Sequence, residues 1–392
     1  MELLKNGIDV TVICLDPLSP RQEVCDDSEL WKPLEEITLR IATPTNKSFF
    51  YSRLMGIRYG TITYARWVRA VIKKARVLNQ EKPFDLIYSR SLPMEAHIAG
   101  YWVARNLRVP WLVNINDPWD WHLFPDHIKK ALPYFYCRFS NFWMCKTFSY
   151  ASLVTYPSTR LRDYHYRISG LEHKSDVIPH IGYNHRQQDK TSEFRIVHAG
   201  KLGGSEARSS RGLLEGIKLF LSRQPEAEQS FRLILVGPED KKTSSAVSEL
   251  GLQRIVNPTG RVSYERSLEH ISSATVCALV ESLLPEGIFL PSKLADYVAA
   301  RKPVLALSPK VGVIADMVGC RGITHVEPDN AQAIRDAIGA YYSAFKQGSI
   351  ESCRPSEDLV RQFAPETVGR QFIERAQMLV HSDPLKGGGN NG

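Results

Sequence analysis

Twelve short apolar runs, set apart by stretches of helical pattern, constrain what this chain can fold into more than any other feature. In the first half they are DVTVICL (9–15), ITLRIATP (37–44), DLIYSR (85–90), PWLVNIND (110–117), LVTYPS (153–158) and DVIPHI (176–181). The second half continues with FRIVHAG (194–200), FRLILVG (231–237), RIVNPTG (254–260), TVCALVES (275–282), PVLALS (303–308) and GITHVEP (322–328). The runs are rich in Val, Ile and Leu and lack the apolar–polar alternation of a strand with one wet face. They predict parallel strands covered on both sides by the helices between them. A chain of 392 residues has room for two such cores, so the expected architecture is α/β, with two doubly wound parallel sheets. The polar stretch NHRQQDKTSE breaks the rhythm. It makes 184–193 a linker between an N-terminal domain, 1–183, and a C-terminal domain, 194–357; a C-terminal helix at 358–381 and a disordered tail at 382–392 follow.

The start of the chain is irregular. MELLKNGIDVTVIC reads as the end of a helix, a stop at Gly7, then a strand. A doubly wound domain ordinarily opens with a strand and a Gly-rich turn ahead of that helix. Both are missing, which reads as a late start or a decayed copy. The strands that would flank the missing one are expected to lack hydrogen-bond partners.

Net charge is +8 and the pI is near 9.0, which points to an anionic partner: a phosphate-rich ligand, a membrane surface or nucleic acid. The seven cysteines are scattered and form no C-x-x-C. That argues for reduced thiols in a cytoplasmic protein, against a disulfide framework and against structural zinc. No signal peptide is visible, and no apolar run approaches the about 18 residues a membrane span needs. The chain reads as soluble, at most membrane-attached.

Three segments carry chemistry. In HAGKLGGSEARSSRGLLEGIKLF (198–220) a strand ends at Gly200, a loop with Gly203 and Gly204 follows, and Ser209 or Ser210 is placed to cap a helix starting near Arg211. Such a helix start favours an anion, and Lys201 and Arg211 bracket the loop with positive charge; the plainer reading is a flexible turn with solvated cations. In EGIFLPSKLADYVAARKPVLAL (286–307) Pro291 precedes a helix, Ser292 is placed to cap it, and Lys293 stands in its first turn. Asp296 shares a face with Lys293, and the plainer reading is a cap plus an i,i+3 ion pair. Both segments follow strand carboxyl ends, where doubly wound domains bind ligands. No D-x-D occurs, so the simplest carboxylate clamp for a metal-bound diphosphate is absent and Lys201, Arg211 and Lys293 are left to neutralise it. In the first half, Asp117 ends an apolar run and Arg90 ends the preceding one, so both are expected to face the crevice between domains. The alternative is that Asp117 caps a turn while Trp119 fills core.

The ordered series VIPHIGYN, HAGKL…RG, LILVG, TGRV and FLPSKLADYVAARKPVLAL resembles the retaining GT-B glycosyltransferases, glycosyltransferase family 4, from about Asp9 to about Gln377. The stretch SRSLPMEAHIAG…PWLVNINDPW resembles the bacterial surface-polysaccharide branch. The resemblance implies the GT-B fold, two Rossmann-like domains facing across a cleft. It also implies transfer of a sugar from a nucleotide-diphosphate donor to a hydroxyl acceptor, glycan or lipid-linked, with retention and without a metal or other cofactor. Gly200, Lys201, Arg211, Arg261, Ser292, Lys293 and Asp296 would hold the donor. Lys201 and Arg211 would neutralise the leaving diphosphate, Asp296 would reach its ribose, and Asp117 would join them in catalysis. The family often carries two glutamates with seven residues between them; here the second position falls on Asp296 and the first on Ile288, with Glu286 near but out of register. Lys201 stands where arginine is commoner, and Asp117 lies near where many members keep a histidine.

Between Thr45 and Gln80 no acidic residue occurs, while Lys and Arg alternate with aromatics over 47–76; a second such run covers 129–146. Amphipathic helices with aromatic core faces explain both. An anionic membrane surface on the cytoplasmic side would use the same residues, and no nucleic-acid module is recognisable. Two rival functions remain open: a nucleotide-sugar 2-epimerase with the same fold, and a non-catalytic nucleotide-binding relative.

Overall fold

The computed structural model describes residues 1–16, 32–41, 64–91, 93–119, 134–184, 192–202, 209–317 and 319–382, and only the backbone of 134–138. Gly203, Gly204, most of the expected linker, the expected tail beyond Ser382, residues 47–63 of the first basic run and 129–133 of the second lie outside the described residues.

All twelve expected strands form. They are β1 (Val12–Leu15), β2 (Thr38–Ile41), β3 (Ile87–Arg90), β4 (Trp111–Asn114), β5 (Leu153–Tyr156) and β6 (Ser175–Val177), then β7 (Phe194–Ala199), β8 (Phe231–Val236), β9 (Val256–Gly260), β10 (Val276–Val280), β11 (Val304–Leu307) and β12 (Ile323–Val326). Every ladder between them is parallel, as continuous apolar runs require.

The chain divides into two compact units. The first holds the described residues up to Ile178 and those from Gly369 onward; the second runs Pro179–Val368, so the division falls earlier than the expected 183. In the first unit the strands form two separate sheets, β1–β2 and β3–β4–β5–β6, and no ladder joins them among the described residues. Its helices are α1 (Glu2–Lys5), α2 (Ala65–Glu81), α3 (Glu95–Leu107), α4 (Tyr134–Tyr150) and α5 (Thr159–Ser169). Ser158 accepts from the Leu161 N–H to start α5, and Gly170 ends it in the left-handed conformation.

In the second unit six strands form one sheet in the order β12-β11-β10-β7-β8-β9. The chain winds outward from β7 to β9, then returns to β10 on the other side of β7, the doubly wound pattern. Its helices are α6 (Arg211–Arg223), α7 (Lys241–Glu249), α8 (Tyr264–Ser272), α9 (Ser292–Ala299), α10 (Val313–Asp316), α11 (Ala331–Lys346) and α12 (Glu357–Gln362), and only the first turn of α13 (Pro365–His381). One core is filled by Leu213, Ile217 and Phe220 of α6 with Ile334 and Ile338 of α11. A second is filled by Leu268 and Ile271 of α8 with Leu294, Tyr297 and Val298 of α9. Side-chain caps start α7 at Asp240, α8 at Ser263 and α11 at Asn330. The C-terminal helix expected at 358–381 forms as two, α12 and α13. From Gly369 α13 belongs to the first unit, where the Phe372 ring packs edge-on against Tyr88 and Arg375 pairs with Asp176.

Candidate functional site

The reversal of strand order between β7 and β10 is where a doubly wound sheet opens a crevice beyond its carboxyl ends. The residues there meet through one buried histidine. His198, in β7, is fully buried, and its Nδ1 lies 2.9 Å from the Ala278 carbonyl of β10. A carbonyl only accepts, so Nδ1 carries a proton; because the group facing Nε2 is an ammonium, which only donates, Nε2 presents a lone pair and the ring is neutral. The Lys293 ammonium, from the first turn of α9, lies 3.4 Å from that Nε2 and donates to it. Tyr297, one turn further along α9, accepts the Ala199 N–H at 2.8 Å, which docks the helix on β7. Gly200 follows in the left-handed region, φ +89°, and a Cβ there would stand 3.2 Å from the Lys293 Nζ. Glycine at this point both permits the turn and leaves the ammonium room.

Ser292 is not the cap the sequence suggested. Pro291 holds the cap position with extended backbone, the Leu294 N–H bonds to its carbonyl, and no side chain caps the helix. Ser292 is the first helical residue and is exposed. The helix start therefore offers its N–H groups without a competing side-chain acceptor, as an anion site requires. Lys201 and Arg261 are exposed, beyond β7 and β9 respectively. Arg211 begins α6 as expected and is exposed, but its guanidinium is engaged at 2.7 Å by both Glu215 and Glu249. The i,i+4 spacing to Glu215 is visible in the sequence; the approach of Glu249 from α7 is not.

Asp296 is brought near this site with one of its carboxylate oxygens already engaged. It is 9% exposed, and its Oδ1 accepts the Tyr183 N–H and the Tyr264 hydroxyl, both at 2.9 Å. It ties the entry of the second unit to α9 and α8. Burial pushes its carboxyl up to about 6, against the pull of those two donors. Ile288, where a first glutamate was expected, is fully buried, while Glu286 is half-buried. Sequence reasoning missed His198, Tyr297, Tyr264 and Glu281, a buried carboxylate just beyond β10. The available signal for His198 and Glu281 is a polar residue inside or at the end of an apolar run (IVHAG, LVES), which the strand reading absorbed.

The first unit carries the other expected pair. β3 and β4 are neighbours with Arg90 opposite Asn114, and Asp117 follows β4. Burial raises the Asp117 carboxyl, and the Arg90 guanidinium pulls it back down. The Asp117-Pro118-Trp119 turn is fixed by two neutral histidines. Trp119, buried as core, stacks on His97 at 5.2 Å between centroids and donates its N–H to His165 Nε2 at 3.1 Å. His165 donates its Nδ1–H to the Leu161 carbonyl at 2.9 Å. Burial lowers His165 to about 4 and His97 to about 3, so both are uncharged at neutral pH. Among the described residues no three His, Cys, Asp or Glu side chains gather as metal ligands would.

Residues 2–180 match the family model described as a glycosyl transferase 4-like domain. No curated protein matches the chain by sequence. Solved structures do match over almost its whole length. Sucrose-phosphate synthase of Thermosynechococcus elongatus aligns with a TM-score of 0.65 at 16% identity, over 97% of this chain and 91% of its own. HepE of Anabaena, solved with UDP and glucose, aligns with a TM-score of 0.63 at 17% identity, over 89% and 88%. A glycosyltransferase of Rickettsia africae aligns with a TM-score of 0.62 at 14% identity, over 97% and 93%. What is shared at such identities is the fold. Residues 2–180 thus match a glycosyl transferase 4-like domain, and the chain as a whole has the GT-B fold of glycosyltransferase structures.

Proposed function

We propose that this chain transfers a sugar from a nucleotide-diphosphate sugar to a hydroxyl of a glycan or lipid-linked acceptor, with retention and without a metal, at the cytoplasmic face of a membrane. One observation carries the reading: the Lys293 ammonium, steered by neutral His198 to the strand reversal between β7 and β10, beside Gly200 and an uncapped helix start. A diphosphate bound there meets N–H groups and fixed positive charge, with Lys201 and Arg261 beyond the neighbouring strand ends. As the bond from the anomeric carbon to the diphosphate oxygen breaks, negative charge grows on the leaving group. The acceptor oxygen bonds to the same face of that carbon, and its proton passes to the departing phosphate. Lys201 and Lys293 stabilise the leaving group; Arg211 adds to them if it exchanges its carboxylate partners for phosphate. Asp117, its carboxyl raised by burial beside Arg90, orients the acceptor. The structures of HepE with UDP and with UDP-glucose support this donor class.

Fully buried Ile288, at a position where a glutamate was expected, favours the second reading, a non-catalytic nucleotide-binding protein. Thermal melts with UDP, GDP, ADP and their sugar conjugates separate the two when paired with an acceptor assay. A nucleotide at 100 times its Kd stabilises the fold by about 2.7 kcal/mol, a shift of a few degrees. The shift is expected for one base and lost in Lys293→Ala and in Gly200→Ala, whose Cβ crowds the ammonium. No shift with any nucleotide refutes the donor site; a shift without transfer selects the non-catalytic reading. Donor turnover without acceptor points to an epimerase.

A further inference from the structure

We infer that the outer faces of α2, α3 and α4 form a docking surface for an anionic lipid bilayer. Phe139, Phe142 and Tyr150 of α4 are 36%, 52% and 41% exposed. At about 100° per residue, positions 139, 142, 146 and 150 fall on one stripe of the helix. The remaining member is Lys146, whose ammonium lies 5.1 Å from the Phe142 ring centroid and 5.7 Å from that of Tyr101. The Phe139 and Phe142 rings stack with centroids 6.4 Å apart. A single exposed aromatic is ordinary; a row of them threaded by a cation is the pattern of a side-chain layer at head-group depth.

The surface continues across the neighbouring helices. Tyr150 packs edge-on against Tyr101 of α3 at 5.1 Å, and exposed Arg105 donates to the Tyr101 hydroxyl at 2.8 Å. Asn106, next in α3, accepts from Arg76 of α2 at 2.8 Å. The exposed face of α2 presents Arg69, Lys73 and Arg76, spaced to share one side. Acidic residues stay away: α4 has none, α2 has only Glu81 at its last position and α3 only Glu95 at its first. Charge and aromatic content together match one occupant, a bilayer with anionic head groups, where cations reach phosphate and rings enter the interface. Single-stranded nucleic acid would use the same cations and stack bases on exposed rings, so it is the rival occupant that the test separates. The inference deepens the lipid-linked acceptor reading, but lipid binding is measured without donor or acceptor, so either can fail alone.

The test is flotation of the full chain with vesicles of phosphatidylcholine, with and without phosphatidylglycerol, at low and high salt. Partitioning is expected only with phosphatidylglycerol, and high salt should reduce it without abolishing it. Each neutralised cation should weaken it about fivefold, so Lys73→Gln with Lys146→Gln should cost about 25-fold at low salt. Phe139→Ser with Phe142→Ser should remove the salt-resistant part. Unchanged melting of both variants shows that the fold is intact, and RNA is the competitor. No partitioning at low salt overturns the inference, as does partitioning equal to the parent in both double variants. Binding that an oligoribonucleotide fully displaces overturns it in favour of nucleic acid.

Discussion

Asp296→Asn tests whether the carboxyl in α9 serves by hydrogen bonding rather than by charge. It is 9% exposed, and its Oδ1 holds the Tyr183 N–H and the Tyr264 hydroxyl. Burial raises its pKa from 3.8 to about 6, so the folded state prefers the protonated acid. An acid whose pKa rises on folding contributes stability that is complete below its unfolded pKa and is lost as pH climbs through the folded value. The size of this rise corresponds to about 3 kcal/mol, lost between about pH 4 and about pH 7. Asparagine is isosteric, keeps the carbonyl acceptor for both donors and has no charge to bury. Parent and variant should therefore be of similar stability near pH 4, and the variant should be up to about 3 kcal/mol more stable near pH 7. Urea unfolding of both across this range measures the difference, in which titrations elsewhere cancel. A difference independent of pH refutes the reasoning. A parent more stable than the variant near pH 7 would refute it too, showing that charge-assisted bonds to the ionised carboxylate outweigh the cost of burial.

Gly212→Ala should be among the most damaging single changes in the second unit, because a Cβ there would stand 1.8 Å from the Pro328 carbonyl oxygen, which is backbone and has little room to yield. A cost of about 3 kcal/mol is expected by thermal or urea melting, and a near-neutral variant would show that the approach of α6 to that carbonyl is looser than described. His165 is neutral with both ring nitrogens bonded, and its pKa is lowered from 6.5 to about 4. Its stability contribution is therefore present above pH 6.5 and lost as pH falls towards 4, so the stability gap between the parent and His165→Gln should narrow over that interval in urea unfolding. A constant gap would mean that Trp119 is not held by the neutral ring.

Which parts were legible follows from how far the causes reach. Each strand was readable because a buried parallel strand needs a local run of Val, Ile and Leu, and the position of Lys293 in the first turn of α9 was readable because Pro-Ser-Lys before an apolar run is a local signature of a helix start. Arg211 was read as available because the sequence does not bring Glu249 near it. Ser292 was read as a cap because serine caps many helices, while the fold assigns that position to Pro291. The bond that engages Asp296 is not readable locally, because its partner Tyr183 lies 113 positions away.

The sequence by itself determined the α/β class, the segments that become strands and the glycine that must stand at position 200, since hydrophobic pattern and backbone freedom act within a few residues. Only the tertiary structure decided the order of those strands. That order sets β7 beside β10, so that His198 meets a carbonyl 80 residues away and turns its other nitrogen to Lys293. It also decided that α13 joins the first unit from Gly369 onward. Nothing in a local pattern specifies these pairings, because a strand's apolar surface is satisfied by any neighbour of the right shape, whereas a buried hydrogen bond is satisfied by one geometry.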